Sequence, residues 1–556
     1  MTALRSNFPV GGTPWAMRRA QWTALGLSDE DMDKPKIAIV NSSSSLASCF
    51  SHLDGVVPPL KAAIQAAGGV AFEVRTAAPS DAITSAGRGG QYILPSRDLI
   101  ASDVEVAVEG AQLDGMVTLA SCDKTTPGQL MAAGRLDIPT IVIGCGYQPS
   151  GIYRGEHVDF EDVFLYAGHV ASGAMTVEEL AEMASVAVSG PGVCAGMGTA
   201  NSMHIATEAL GMMMPGSAPV LANSPKMFAD VERAGRRVVE LVAEGLRPRQ
   251  ILTPGAFRNA VAAVLAISGS VNCVKHLQAV AVEAGCDVDV LALFEELAPQ
   301  VPLLTGVKPN GDRRIDEFEA AGGAQALLHQ LRPLLDLEQL TVAGGTLGDV
   351  LGGAPVAGGE VIRPLDDPLA RHPGITVVRG SMAPEGGVLK RTVEDDGVHR
   401  FSGPAKVYRS RDEGLAGIRG GEVRPGDVVV LSGLGLRGAP GMALTSAFIF
   451  ALDGAGLGDH VVVVTDGQMS GLVNKGLVVA EVSPEGALGG PIGLVHDGDV
   501  VSVDVEARTL DLHVSEDELE RRRAELPPLP PPRGCGWLDV YARTVSPLAR
   551  GATLGG

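Results

Sequence analysis

At 556 residues the chain is too long for a single hydrophobic core, so two or three domains are expected. Its apolar and charged fractions are those of a soluble globular protein, and its longest apolar runs break before they could span a bilayer. A formal charge of −21 with no basic stretch argues against nucleic acid or an anionic membrane as partner, and leaves room for a small anionic substrate at a locally positive site.

The first residues, Met1 to Pro14, lack the basic-then-apolar pattern of a signal peptide, so a cytoplasmic location is the default expectation. A helix is expected near Ala16–Leu25, then a strand at Lys36–Val40 that runs into a polar loop ending at Cys49. Leu53–Ala67 reads as a helix closed by Gly68-Gly69, and Val70–Thr76 as the next strand. This βαβ rhythm implies a parallel sheet. Asp81 sits in a second loop; Pro95-Ser96-Arg97 opens a helix reaching about Glu109; the apolar run Leu113–Ala120 delivers Ser121-Cys122-Asp123-Lys124-Thr125-Thr126-Pro127-Gly128. After a helix at Leu130–Arg135 and a strand at Thr140–Ile143, an irregular stretch runs from Gly144 to Asp159, and helix returns at Val177–Val188. Cys194 lies in a glycine-rich loop, Gly190 to Asn201, followed by a helix through Gly211. Pro225–Glu244 and Pro254–Ala284 read as mainly helical, and the lone His276 on the second reads as structural.

Around Gly352–Pro373 the chain becomes rich in Gly, Pro and Asp, which marks a boundary between residues 1–370 and 371–556. Short β-type runs follow at Thr376–Val378, Val388–Thr392, Ala405–Tyr408, Asp427–Leu431, His460–Val464, Ile492–Val495, Val500–Val505 and Thr509–Val514. They predict a mostly β domain, a barrel. Glu516–Leu526 reads as a charged helix and Pro527–Pro532 as a spacer.

The seven cysteines are widely spaced singles with no C-x-x-C pair, so neither a zinc ribbon nor a thioredoxin-type motif is indicated. One reading is a set of buried hydrophobes. The other starts from Cys49, Cys122 and Cys194, which share one setting: an irregular stretch at a strand end or before a helix. In a parallel sheet such loops gather at one rim, where three thiolates can hold an iron–sulfur cluster with one iron left open as a Lewis acid. Asp81 and Asp123 would offer hard oxygen donors to Mg²⁺ from the same rim. A competing motif is Gly433-Leu434-Gly435-Leu436-Arg437-Gly438, a G-x-G-x-x-G after a strand, which would suit an NAD(P)-binding oxidoreductase.

Several motifs together resemble the IlvD/Edd dehydratase family, which includes dihydroxy-acid, phosphogluconate and aldonic sugar-acid dehydratases. They are Cys122 to Gly128, Gly196-Met197-Gly198-Thr199-Ala200-Asn201-Ser202-Met203, Met382 to Lys390, Thr465-Asp466-Gly467-Gln468-Met469-Ser470-Gly471, and Ser483-Pro484-Glu485-Gly486 through Pro491. The likeness covers about Lys36 to Ala552. It implies an N-terminal α/β region carrying the metal site, a C-terminal β-barrel, and a homodimer or homotetramer. It further implies a cluster, [2Fe–2S] in preference to [4Fe–4S], on Cys49, Cys122 and Cys194. Mg²⁺ would sit at Asp81, Asp123 and a carbamylated Lys124, with Ser470 as the base. The implied reaction removes water from a 2,3-dihydroxy acid or sugar acid to give a 2-oxo acid.

The chain departs from the family pattern in places. Leu444 stands where a Mg²⁺-binding Glu is usual, Leu434 where another Glu is usual, Glu481 where His is common, and Gly198 where an aromatic is common. Leucine cannot ligate Mg²⁺, which leaves fewer protein ligands, another oxygen donor, or no Mg²⁺. A family member without Mg²⁺-dependent dehydratase activity is therefore a second alternative.

Overall fold

The computed structural model describes residues 4–353, 359–391, 400–529 and 534–555. Thr392 and Pro530–Pro532 of the expected elements lie outside these residues. Four strands, β1 (Lys36–Asn41), β2 (Val70–Arg75), β3 (Gly115–Ala120) and β4 (Thr140–Gly144), form a sheet in the order β2-β1-β3-β4. All three pairings are parallel. Every residue of β1, β3 and β4 is buried, as expected for strands covered by helices on both faces. The chain leaves β1 to one side for β2 and then returns to the other side for β3. This reversal opens a crevice at the carboxyl ends of β1 and β3, where ligands bind in open α/β sheets. A small hairpin, β5 (Gly151–Tyr153) with β6 (Glu156–Val158), lies within the stretch expected to be irregular.

The second sheet has eight strands: β7 (Ile375–Val378), β8 (Gly386–Lys390), β9 (Arg400–Tyr408), β10 (Val428–Leu431), β11 (Val462–Thr465), β12 (Leu477–Ser483), β13 (Val500–Asp504) and β14 (Thr509–Leu512). Their order is β14-β13-β9-β10-β11-β12-β8-β7. The two edges meet at a bridge between Arg379 and Thr509, with Leu510 N–H donating to the Arg379 carbonyl at 2.8 Å. The sheet thus closes into a barrel, and closure removes the exposed strand edges. The domain is less purely β than its strand-like runs suggest. β9, β10 and β11 pair in parallel, and parallel neighbours need crossovers, which the helices Arg411–Arg419 and Ser446–Gly454 provide. Ile492–Val495, expected as a strand, is a 3₁₀ turn over Pro491–Leu494 that starts on proline.

Helix Phe160–Ser172, which the sequence analysis did not anticipate, joins the two regions. It packs on Ser446–Gly454, with the Phe164 and Phe450 rings edge-to-face at 4.9 Å and His169 Nε2 at 2.8 Å from Asp453 Oδ2. One large buried cluster accordingly runs from the parallel sheet into β10 and Ser446–Gly454, while a second fills the barrel.

Candidate functional site: a thiol- and carboxylate-lined cavity

A cavity of about 530 Å³ lies at the carboxyl rim of the parallel sheet, under the barrel loops. Its lining includes Cys49 after β1, Asp81 after β2, Cys122, Asp123 and Lys124 after β3, Cys194 from the glycine-rich loop, and Leu444 and Ser470 from the barrel domain. All seven predicted site residues thus face one space. Four helices begin beside it: Leu53–Ala66 shortly after Cys49, Thr125–Leu136 directly after Lys124, Thr199–Ala209, and Asn272–Ala284. Helix N-termini favour negative charge, so this rim suits thiolates and an anionic ligand in a chain that is acidic overall.

Local hydrogen bonds hold the cysteine loops. Ser121 Oγ donates to the Cys49 carbonyl and ties the β1 and β3 loops together. Thr125 Oγ1 donates to the Cys122 carbonyl at 2.8 Å. Asn201 Nδ2 donates to the carbonyls of Cys194 and Gly196 at 2.9 and 2.7 Å. The Cys49 and Cys122 thiols hydrogen-bond to each other, so the pair gives up one proton more readily than two. Cys49 is held below its ordinary value by that bond, whereas the Cys49 sulfur and burial push Cys122 up. Burial, then the charge of Asp123, pushes Cys194 up.

The charged half of the cavity centres on Lys124, whose Nζ lies 2.9 Å from Asp81 Oδ2. Burial works against this ammonium, but the charges of Asp81 and Asp123 outweigh it and hold its pKa above the usual lysine value. Burial first, then the Asp81 charge, pushes Asp123 up to about 7. Asp81 Oδ1 is buried without a hydrogen-bond partner. Ser470 Oγ accepts from Leu472 N–H at 3.2 Å, and Ser470 N–H donates to Ser446 Oγ at 2.8 Å. A side chain at Gly198 would meet Leu472 Cδ2 at 2.7 Å, so the glycine makes room for this leucine at the cavity wall.

Among the described residues, no three His, Cys, Asp or Glu side chains are close enough to hold a single metal ion. Donors to one ion must sit about 2.0–2.6 Å from a common centre. A polynuclear cluster spreads its ligands over several metal atoms, so three free thiols along one cavity wall suit a cluster better than a lone ion. A hard divalent ion is served less well. The barrel contributes Leu444, which has no oxygen donor, to the same cavity, and an unmodified Lys124 offers a cation and not an oxygen ligand. These groups do not make a Mg²⁺ site of their own.

Two groups were not singled out from sequence. Glu161 is buried with neither carboxyl oxygen partnered, and a side chain at Gly196 would overlap its carboxyl. Burial, then the charge of Asp159, raises its pKa well above the usual range. Its signal was the capping box Asp159–Asp162 that starts helix Phe160–Ser172. Asn272, in the cavity lining, is the other.

The glycine motif has the expected strand–loop–helix–strand context, since β10 and β11 are parallel. Three of its backbone donors, however, are taken. Asp466 accepts from Gly433 N–H and Leu434 N–H at 3.0 and 2.9 Å, and Glu485 accepts from Arg437 N–H at 2.8 Å. A pyrophosphate would meet two buried carboxyls there, so the dinucleotide reading fails on the loop's own chemistry.

The fold and the cavity define a class: a two-part α/β protein whose parallel-sheet rim presents thiols and carboxyls to a barrel domain that supplies a serine. The family model described as dihydroxy-acid/6-phosphogluconate dehydratase N-terminal matches residues 34–350, and its C-terminal counterpart matches residues 360–552. The chain belongs to this family and is a hydro-lyase. It is 39% identical over 553 residues to a dihydroxy-acid dehydratase of Methanococcoides burtonii, covering 99% of this chain and 100% of the relative. It is 41% identical to one of Methanothrix thermoacetophila, over 99% and 100% of the two chains. A third, from Ignicoccus hospitalis, is 40% identical over 97% and 98%.

Proposed function

We propose that the protein is an iron–sulfur dehydratase that removes water from a short 2,3-dihydroxy carboxylic acid to give a 2-oxo acid. The observation that supports this most is the meeting of Cys49, Cys122, Cys194, Asp81, Asp123, Lys124 and Ser470 around one cavity. Cys49, Cys122 and Cys194 would hold the cluster, which when bound supplies a Lewis acid for the departing hydroxyl. Lys124, buttressed by Asp81 and Asp123, receives the substrate carboxylate and 2-hydroxyl, helped by the positive ends of four helices. Ser470 Oγ, as alkoxide, takes the C2 proton. The Leu472 N–H aimed at this oxygen favours its charged form. General-base action of this kind is worth ~10²–10⁴-fold. The 3-hydroxyl leaves as water with the proton that Ser470 Oγ has accepted, which restores the alkoxide, and the resulting enol gives up its O–H proton and gains one at C3 to become the 2-oxo acid.

The walls around this polar end are largely apolar, with Leu46, Ile83, Phe160, Val163, Phe164 and Leu472. A polyhydroxy sugar acid would bury hydroxyls against them at about 1–3 kcal/mol for each one left unpaired. A dihydroxy acid with an apolar tail fits better. The reading includes a site-bearing domain at 1–370, a barrel at 371–556, and a cytoplasmic homodimer or dimer of dimers. The test is a panel of short dihydroxy acids and sugar acids with anaerobically prepared protein, scored by a carbonyl reagent. Release of a 2-oxo acid from an apolar-tailed acid is expected, and no release from any member would contradict the proposal. Cys49→Ser, Cys122→Ser and Cys194→Ser should each lose iron, while Cys535→Ser, at an exposed position, should keep it.

A further inference from the structure

Behind the cavity lies a buried ion pair that the proposed reaction does not use. Lys275 Nζ contacts Glu481 Oε1, with side-chain exposures of 1% and 2%. The pair joins helix Asn272–Ala284 to barrel strand β12, two elements 206 residues apart. Glu481 reaches it through an irregularity. The β12–β8 register shifts between Ala480 and Ser483, and Glu481 has φ +57°, a left-handed conformation unusual for a side chain of this size. Bulges of this kind re-aim a side chain out of the ladder, here towards Lys275. The Glu481 N–H also donates to the Gly467 carbonyl at 3.1 Å, within the loop that ends in Ser470.

Lys275 also donates to Asn272 Oδ1, one helical turn back on the same face. An ammonium can only donate, so it fixes which end of the Asn272 amide faces it. The amide nitrogen is left pointing the other way. Nδ2 donates to Thr199 Oγ1 at 3.0 Å and to the Met469 carbonyl at 3.2 Å. Met469 precedes Ser470. Thr199 Oγ1 also lies 2.8 Å from Ser270 Oγ, which accepts from Asn272 N–H at 3.2 Å. Thr199 Oγ1 keeps its own proton, which it can give to Ser270 Oγ or to Asp123, whose carboxylate it stabilises. The lysine thus fixes the Asn272 amide, which in turn donates to Thr199 Oγ1 and to the Met469 carbonyl.

We propose that Lys275 and Glu481 are positioning residues that lock Asn272 so that it steers two catalytic groups at once: Ser470 through the Met469 carbonyl, and Asp123 through Thr199. This rests on the roles proposed above for Ser470 and Asp123. It makes the barrel and the parallel sheet parts of one active site, with the relative position of base and carboxyl set by a buried charge pair.

The test compares purified holoenzymes for thermal midpoint, iron content, kcat and KM on the best acid of the panel. Lys275→Met/Glu481→Leu removes both charges, which avoids leaving one buried alone. It is expected to fold, to keep its iron, and to lose about 10–100-fold in kcat with KM within about threefold. Asn272→Asp keeps the acceptor for Lys275 and removes the donor to Thr199 and Met469, so it should show the same split even if the double variant fails to fold. Lys275→Arg keeps the donor and should stay within about threefold of the parent kcat. Parent-like kcat in folded Asn272→Asp, or in the folded double variant, would overturn the proposal and leave the dehydratase reading standing. A parent protein that turns over no acid would overturn both.

Discussion

At the scale of single residues, the cavity separates a soft side from a hard side. The loops that carry the three thiols are held by neighbouring hydroxyls and amides, which donate to the cysteine carbonyls. Deprotonation that burial opposes becomes favourable when a metal centre arrives, because the metal's charge inverts the local balance. On the hard side, Lys124 supplies the positive charge and Leu444 withholds an oxygen donor. Leu444→Glu should therefore create a measurable Mg²⁺ affinity by calorimetry where the parent shows none at millimolar concentration. Saturable Mg²⁺ binding by the parent would contradict this account of the hard side. Cys122, Asp123 and Lys124 were legible from sequence because they follow directly on the apolar run Leu113–Ala120, and Cys49 because its polar loop follows the strand at Lys36–Val40. Lys275 and Glu481 were not, since neither has chemistry in isolation and their pairing depends on a register shift in another domain.

At the scale of elements, the contact between Phe160–Ser172 and Ser446–Gly454 couples the two regions. It depends on Gly168, where a Cβ would lie 2.5 Å from the Phe450 backbone carbon. Gly168→Leu should destabilise the protein by about 1–3 kcal/mol through overpacking, read as a lower thermal midpoint. An unchanged midpoint would mean that this contact does not couple the regions. The parallel strands were readable because they are continuous apolar runs bounded by turn residues. Helix Phe160–Ser172 escaped notice because it follows an irregular stretch and has few buried positions, with Glu161 and Gly168 among them. β12 was missed because Glu481 interrupts its apolar pattern. Ile492–Val495 misled because a short apolar run fits a strand or a buried turn equally well, and Pro491 decided for the turn.

At the scale of the molecule, burial of ionisable groups sets the pH dependence of stability. Burial pushes Glu208 and Glu485, both outside the cavity lining, up to about 7, so the folded state holds protons there that the unfolded state has released. Stability from these groups falls as pH rises from about 4.5 to 7. Burial also lowers His204 to about 4 and His52 below its usual value, and this opposes the trend up to pH 6.5. Above pH 6.5 the opposing histidine contribution ends, so the thermal midpoint should drop between pH 6.5 and just above 7. A rising midpoint in that window would contradict the burial assigned to Glu208 and Glu485.

The central claim is that sulfurs from three separate loops hold one inorganic cluster at the rim of the parallel sheet. It is tested most directly by assaying iron and acid-labile sulfide in the full chain purified without oxygen. The account predicts both, in cluster proportion, in the parent chain, and their loss from Cys122→Ser. Iron and sulfide absent from the parent, or retained in full by Cys122→Ser, would contradict it.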